Sequence, residues 1–130
     1  MIVDSSAVVA IAKGEPEADR LIDALVSVPY VGIAPPVWLE SSMVLASSGV
    51  RRPREFLEWF GLEFRVESIA FTAEHGRAAL QAWYRYGKGN HPARLNYGDC
   101  LSYATAKIAG QPLLFVGDDF TKTDIASALA

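Results

Sequence analysis

Met1-Ile-Val-Asp4-Ser-Ser-Ala-Val-Val-Ala-Ile11 decides how this chain is read. Three apolar residues run into a lone carboxylate, two small hydroxyl residues follow, and a second apolar run begins at Ala7. A short apolar run closed by polar residues predicts a buried strand. A serine at the head of a new apolar stretch predicts a helix N-cap, because its oxygen accepts from backbone N–H groups that lack a partner in the first turn. Asp4 then stands at the carboxyl end of a first, central strand, where open α/β sheets place their ligand sites. Taken alone, the same aspartate also reads as a cap for the helix that follows.

Working outward, Pro16 suits the first turn of a helix over residues 18–28, with Leu21, Ile22, Leu25 and Val26 at helical spacing. Residues 30–34 read as a second strand. Pro35-Pro36 breaks it before a helix over 37–46, whose Val37, Trp38, Met43, Val44 and Leu45 form an apolar face and whose first turns carry Glu40. Phe56, Leu57 and Phe60 mark a further helix ending near Gly61, and residues 64–69 a weaker third strand. Thr72 is placed to cap a long helix through Tyr86, with Leu80, Trp83 and Tyr84 available for packing. Gly and Pro make 87–92 a loop. Residues 96–109 are helical again, with Asp99 near the start and Gly110 and Pro112 as the stop. Residues 113–116 are a continuous apolar strand ended by Gly117-Asp118-Asp119-Phe120, and 121–130 a short helix or a mobile end. Strands alternating with helices predict one α/β domain over 1–130, a short parallel β-sheet with helices on both faces in an α/β/α sandwich.

The 130 residues are enough for one substantial core. With 51% hydrophobic and 21% charged residues the composition is that of a folded chain, not a disordered one. Twelve basic against fifteen acidic residues give a net charge of −3, so binding to a polyanion needs a local basic patch and a cation. The single cysteine, Cys100, excludes an internal disulfide and a multi-cysteine zinc site. It reads as a small buried hydrophobe. His75 and His91 are too few and too far apart for a metal site. No apolar run approaches the roughly 18 residues of a membrane span, and no basic region precedes an apolar core at the N-terminus, so a cytoplasmic protein without membrane contact is expected.

Four acidic positions recur in one setting. Asp4 and the pair Asp118/Asp119 end apolar strands, while Glu40 and Asp99 sit near helix starts. In a parallel sheet, strand carboxyl ends and the first turns of the following helices share one rim, so all four converge on one pocket. Carboxylates crowded together raise one another's pKa unless a positive charge sits among them. With no cysteine or histidine cluster, the fitting cation is hard and oxygen-seeking, Mg²⁺ or Mn²⁺. Each acid alone has an ordinary explanation as a cap, a first-turn charge or a turn former.

Val3-Asp4-Ser5-Ser6-Ala7, Leu39-Glu40-Ser41, Asn96-Tyr97-Gly98-Asp99-Cys100-Leu101 and Leu113-Leu-Phe-Val-Gly-Asp-Asp-Phe120-Thr-Lys-Thr-Asp124-Ile125 together resemble the PIN-domain ribonucleases, above all the VapC toxins of VapBC toxin–antitoxin systems. The resemblance spans the chain in order and spacing. It implies a Mg²⁺- or Mn²⁺-dependent endoribonuclease with Asp4, Glu40, Asp99 and Asp119 (alternatively Asp118) as the active-site acids. Asp4 and Asp99 are then the direct metal ligands, with Ser6 and Asn96 supporting them through hydrogen bonds. It further implies an RNA substrate, a homodimer, and a VapB-type antitoxin forming a heterotetramer or larger assembly.

Between Arg77 and Lys107 the chain carries Arg77, Arg85, Lys88, His91, Arg94 and Lys107, and Asp99 is the only acid. Tyr84, Tyr86 and Tyr97 are interleaved with them, a pattern suited to a nucleic-acid backbone track with base stacking. A phosphatase of the haloacid dehalogenase type is the competing enzyme, but it needs a second aspartate where Ser6 stands. A non-catalytic partner-binding module holding a structural cation is the competing class.

Overall fold

The structure is a computed structural model that describes residues 1–129. Four short strands form one parallel sheet: β1 (Ile2–Val3), β2 (Gly32–Ile33), β3 (Glu67–Ser68) and β4 (Leu113–Leu114), in the order β3-β2-β1-β4. Parallel neighbours cannot be joined by a tight turn, so every connection crosses over through helices. β1 reaches β2 through α1 (Ser5–Ala12) and α2 (Ala18–Val26), and β2 reaches β3 through α3 (Pro35–Ser47) and α4 (Pro53–Glu63). The third crossover, α5 (Ala73–Tyr86) and α6 (Tyr97–Ala109), carries the chain back to the other side of β1. Chain order therefore reverses at β1, which opens a crevice beyond the carboxyl ends of β1 and β4.

Strand residues alternate between two cores. Met1, Val3 and Leu114 pack with Val8, Leu21, Val37, Leu45 and Phe60, while Ile2, Leu113 and Phe115 pack with Tyr86, Leu95, Tyr103 and Phe120. Both faces of the sheet are covered, which is why β1 and β4 read as uninterrupted apolar runs.

The element ends differ from the sequence reading. The cap of α1 is Asp4 itself, and Ser5 and Ser6 lie inside the helix. Pro35 and Pro36 open α3 instead of breaking ahead of it, since the first helical N–H has no partner to lose. Pro16 sits in the turn before α2, and α4 runs through Gly61 to Glu63. Met43, Leu80 and Tyr84 are exposed and do not pack inside. The tail is neither a helix nor a free end. Leu113 N–H donates to the Ala126 carbonyl and Ala128 N–H to the Leu113 carbonyl, both at 2.9 Å, so residues 126–128 run beside β4. Ala130, the last residue of that stretch, lies outside the described residues. Among the described residues no helix is long and apolar enough to cross a membrane.

Candidate active site

Asp4 leaves β1 in an extended conformation and caps α1, so both readings of this residue are met by one geometry. Its Oδ2 accepts from the Ser6 N–H at 3.0 Å and from the Ser6 hydroxyl at 2.6 Å, and its Oδ1 accepts from the Ser102 hydroxyl at 2.5 Å. The Ser6 oxygen in turn accepts from Val116 N–H at 3.0 Å, which ties the end of β4 to the end of β1. Only 4% of Asp4 is exposed.

Asp99 is fixed by a reciprocal pair at the head of α6. Its N–H donates to Asn96 Oδ1 at 2.9 Å, and its Oδ2 accepts from Asn96 N–H at 3.0 Å, the capping-box arrangement. Asn96 thus supports Asp99, as Ser6 supports Asp4. Burial pushes the Asp99 carboxyl up to about 7. The Asn96 N–H opposes that rise, and the charges of Asp119, Asp4 and Glu40 add to it.

Glu40 lies in the second turn of α3, and its Oε1 is buried with no hydrogen-bond partner. Burial raises its pKa, the Ser5 hydroxyl opposes the rise, and the charge of Asp4 adds to it. Glu40 Oε2 occupies the space where a side chain on Gly98 would begin, so α6 must carry glycine there for Glu40 to lie against it.

After β4, Gly117 turns the chain at φ +99°, a conformation that favours glycine, and Asp118 and Asp119 follow, both exposed. The two differ. The Asp119 charge acts on Asp99, whereas the Asp118 carbonyl accepts from the Thr121 N–H at 3.1 Å and the Thr121 hydroxyl at 2.7 Å. Acids from β1, α3, α6 and the β4 loop therefore influence one another across the crevice.

The ion pairs among the described residues involve Glu15 and Asp124 and none of these four acids. A set of mutually repelling carboxylates with one orphaned buried oxygen and only oxygen donors suits a hard divalent cation. No three Asp, Glu, His or Cys side chains among the described residues are already gathered tightly enough to hold an ion.

The basic residues are less uniform. Arg77, Lys88 and Arg94 are exposed. Arg85 lies 3.8 Å from Asp124 and over the Tyr86 ring, and His91 Nδ1 accepts from Ala93 N–H while its ring meets Tyr86 edge-on. Tyr86 is 5% exposed, so it is core and not a stacking platform, whereas Tyr84 and Tyr97 are open to solvent. His75 closes the cap of α5 with Thr72. Cys100 is buried and its thiol is pushed up to about 11, chiefly by burial, which removes it as a nucleophile at neutral pH.

Sequence reasoning missed Ser102 and the cluster in which Asp124 accepts from the Tyr103 hydroxyl at 2.5 Å and Lys107 at 2.7 Å. Ser102 stands three residues beyond Asp99 and so shares its helix face, a signal available in the spacing.

A family model described as PIN domain matches residues 1–126. A ribonuclease VapC of Mycolicibacterium smegmatis is 44% identical over 128 residues, covering 98% of each chain. Ribonuclease VapC36 of Mycobacterium tuberculosis is 44% identical over 126 residues, covering 96% of this chain and 91% of the relative. Among solved structures, Mycobacterium tuberculosis VapC20, described as a sarcin-ricin loop cleaving toxin, superposes with a TM-score of 0.77 at 20% identity, covering 96% of this chain and 95% of that one. A toxin–antitoxin complex from Klebsiella pneumoniae gives 0.68 at 15% identity, covering 95% and 92%.

Proposed function

The chain belongs to the PIN-domain family and, within it, to the VapC ribonucleases, and from that premise we propose that it is a Mg²⁺- or Mn²⁺-dependent endoribonuclease, the toxin half of a cytoplasmic toxin–antitoxin pair. The observation that carries this reading is that the charges of Asp4, Glu40 and Asp119 act on one another or on Asp99 beside the point where the strand order reverses, with no ion-pair partner for these four acids among the described residues. Asp4 and Asp99 would hold the cation, which when bound would supply a water of lowered pKa and neutralise charge on a phosphoryl oxygen. Glu40 Oε1, buried and unpaired, is the acceptor left for a proton of the attacking water. Asp119, on its exposed loop, completes the negative field around Asp99. Arg77, Lys88 and Arg94, with Arg85 and His91, guide the RNA backbone towards the crevice, and Tyr84 offers an open ring to an unstacked base.

A groove of about 630 Å³ between α3 and α4, lined by Trp38, Leu39, Leu57 and Val66 with Arg54 and Glu58 among its polar groups, suits an amphipathic segment of the antitoxin. Exposed Leu80, Trp83 and Tyr97 around a second hollow of about 430 Å³ suit a homodimer contact, and the antitoxin then builds a heterotetramer or larger assembly.

The test is cleavage of a mixed pool of structured and single-stranded RNAs by the purified chain, with Mg²⁺, with Mn²⁺ and with EDTA, beside Asp99→Asn. Metal-dependent cutting that the variant lacks supports the reading. No cutting by a folded, antitoxin-free protein under either metal would overturn it and favour a binding module.

A further inference from the structure

Two buried hydroxyls inside these helices bond back along their own helix. Ser41 of α3 donates to the Val37 carbonyl at 2.8 Å and Thr105 of α6 to the Leu101 carbonyl at 2.8 Å. A helical serine ordinarily finds its nearest acceptor one turn back along its own backbone. Ser102, fully buried in the middle of α6, does otherwise: its hydroxyl crosses to Asp4 Oδ1 at 2.5 Å, 98 residues away in sequence. A donor that leaves its local acceptor for an ionised one gains a charge-assisted hydrogen bond.

We propose that Ser102 is a positioning residue that fixes the Asp4 carboxylate in register with Asp99, so that the two acids hold one cation together. The assignment rests on the metal-dependent nuclease reading above. Ser102 and Asp99 are three residues apart and share one face of α6. That helix is locked at its head by the Asn96–Asp99 capping box and closed at its end by Gly110 in the left-handed conformation. The same rigid turn that carries Asp99 therefore carries the donor that orients Asp4. Ser6 does the complementary task from α1, and both Asp4 oxygens are tied, which stops the carboxylate from turning about its own bond. An ionised carboxylate offers about four lone-pair sites. Ser6 occupies two on Oδ2 and Ser102 one on Oδ1, which leaves a single site on Oδ1 for a cation.

The experiment is Mn²⁺ titration calorimetry on the full chain, comparing the wild type, Ser102→Ala and Asp4→Asn, with thermal unfolding as the check on folding. Partners that orient a metal ligand from behind are worth about 10–100-fold in metal affinity. Ser102→Ala is expected to weaken Mn²⁺ binding by that factor and to lower kcat while leaving the KM for RNA unchanged. A Ser102→Ala protein that folds and binds Mn²⁺ within twofold of the wild type would overturn the assignment while leaving the nuclease reading intact. No binding by the wild type would overturn both. Should Ser102→Ala fail to fold, Ser102→Thr and Ser102→Cys replace it. The threonine keeps the hydroxyl donor and is expected to bind Mn²⁺ more tightly than the cysteine, and equal affinities would sink the proposal.

Discussion

Asp99 is an acid whose proton the folded, metal-free chain holds up to about pH 7, and this has a consequence for stability. Its carboxyl is pushed up to about 7, first by burial and then by the charges of Asp119, Asp4 and Glu40, against an ordinary value of 3.8. Between those two values the folded state binds more protons than the unfolded one, so stability falls as pH rises from about 4 to 7 and is not regained above. Asp99→Asn removes the titration and can keep the Asn96 hydrogen bond through its amide oxygen. The variant is expected to be inactive yet more stable than the wild type at pH 8 without metal, by up to a few kcal/mol, and indistinguishable from it near pH 4. Urea unfolding at the two pH values in EDTA checks this, and a wild-type advantage at pH 8 would refute it. Gly98 makes the matching argument for Glu40. A methyl there overlaps Glu40 Oε2, so Gly98→Ala must displace the glutamate. A misplacement of about 1 Å at a reacting group can lower the rate about 100-fold. We expect cleavage to fall by about that much in Gly98→Ala while the melting temperature stays near that of the wild type.

The tail beside β4 shows what a single side chain does for an element with little secondary structure of its own. Lys107 and the Tyr103 hydroxyl hold the Asp124 carboxyl down at about 2, with Arg85 adding to the pull. A depressed acid stabilises the fold fully above its unfolded pKa, so this contribution is intact at neutral pH, falls away as pH drops from about 4 to about 2, and is gone below the folded value. Asp124→Ala is expected to destabilise the chain by about 1–2 kcal/mol at pH 7, below the full worth of hydrogen bonds to a charged group because both Asp124 and Lys107 are partly open to solvent. It should also speed amide exchange at Leu113 and Ala128, whose N–H groups join the tail to β4, and unchanged exchange there would argue against the tie. The same tail explains where the sequence stopped being legible. Periodicity and breakers located every helix and strand, because apolar spacing and caps are local signals. They misjudged some ends: the helix expected to start at Val37, after the two prolines, starts at Pro35, and of the two caps open for α1, serine or Asp4, the aspartate is the one used. The tail was unreadable because its partners are distant in sequence: Tyr103 and Lys107 on α6, and Leu113 in β4. For Ser102 the spacing gave the shared helix face with Asp99 but not the acceptor, which lies at the far end of the chain.

The four acids were legible as a set because a parallel sheet with its order reversing at β1 leaves one rim on which strand ends and helix starts can meet. The basic track was legible only in part, because charge along a sequence does not say which side chains other groups already engage, and Arg85 turned out to face Asp124. This bears on how a chain of net charge −3 meets a polyanion. On the proposed reading, the crevice would repel phosphate until a cation sat among its carboxylates, so metal binding and RNA binding would be coupled through charge. The cation should stabilise the whole fold as well. A ligand at 100 times its dissociation constant adds about 2.7 kcal/mol to folding stability, so saturating Mn²⁺ should raise the melting temperature of the wild type, EDTA should reverse the rise, and Asp4→Asn should show none. Attraction of the RNA then falls to a few exposed cations, and each phosphate contact removed should lower the salt dependence of binding by about one unit of slope. Arg77→Ala and Arg94→Ala are expected to raise the KM for every RNA cut by a similar factor, to flatten the dependence of log KM on log salt, and to leave kcat unchanged. A change in which RNA is chosen, with KM for the others untouched, would mean instead that these arginines read bases and do not simply hold the backbone.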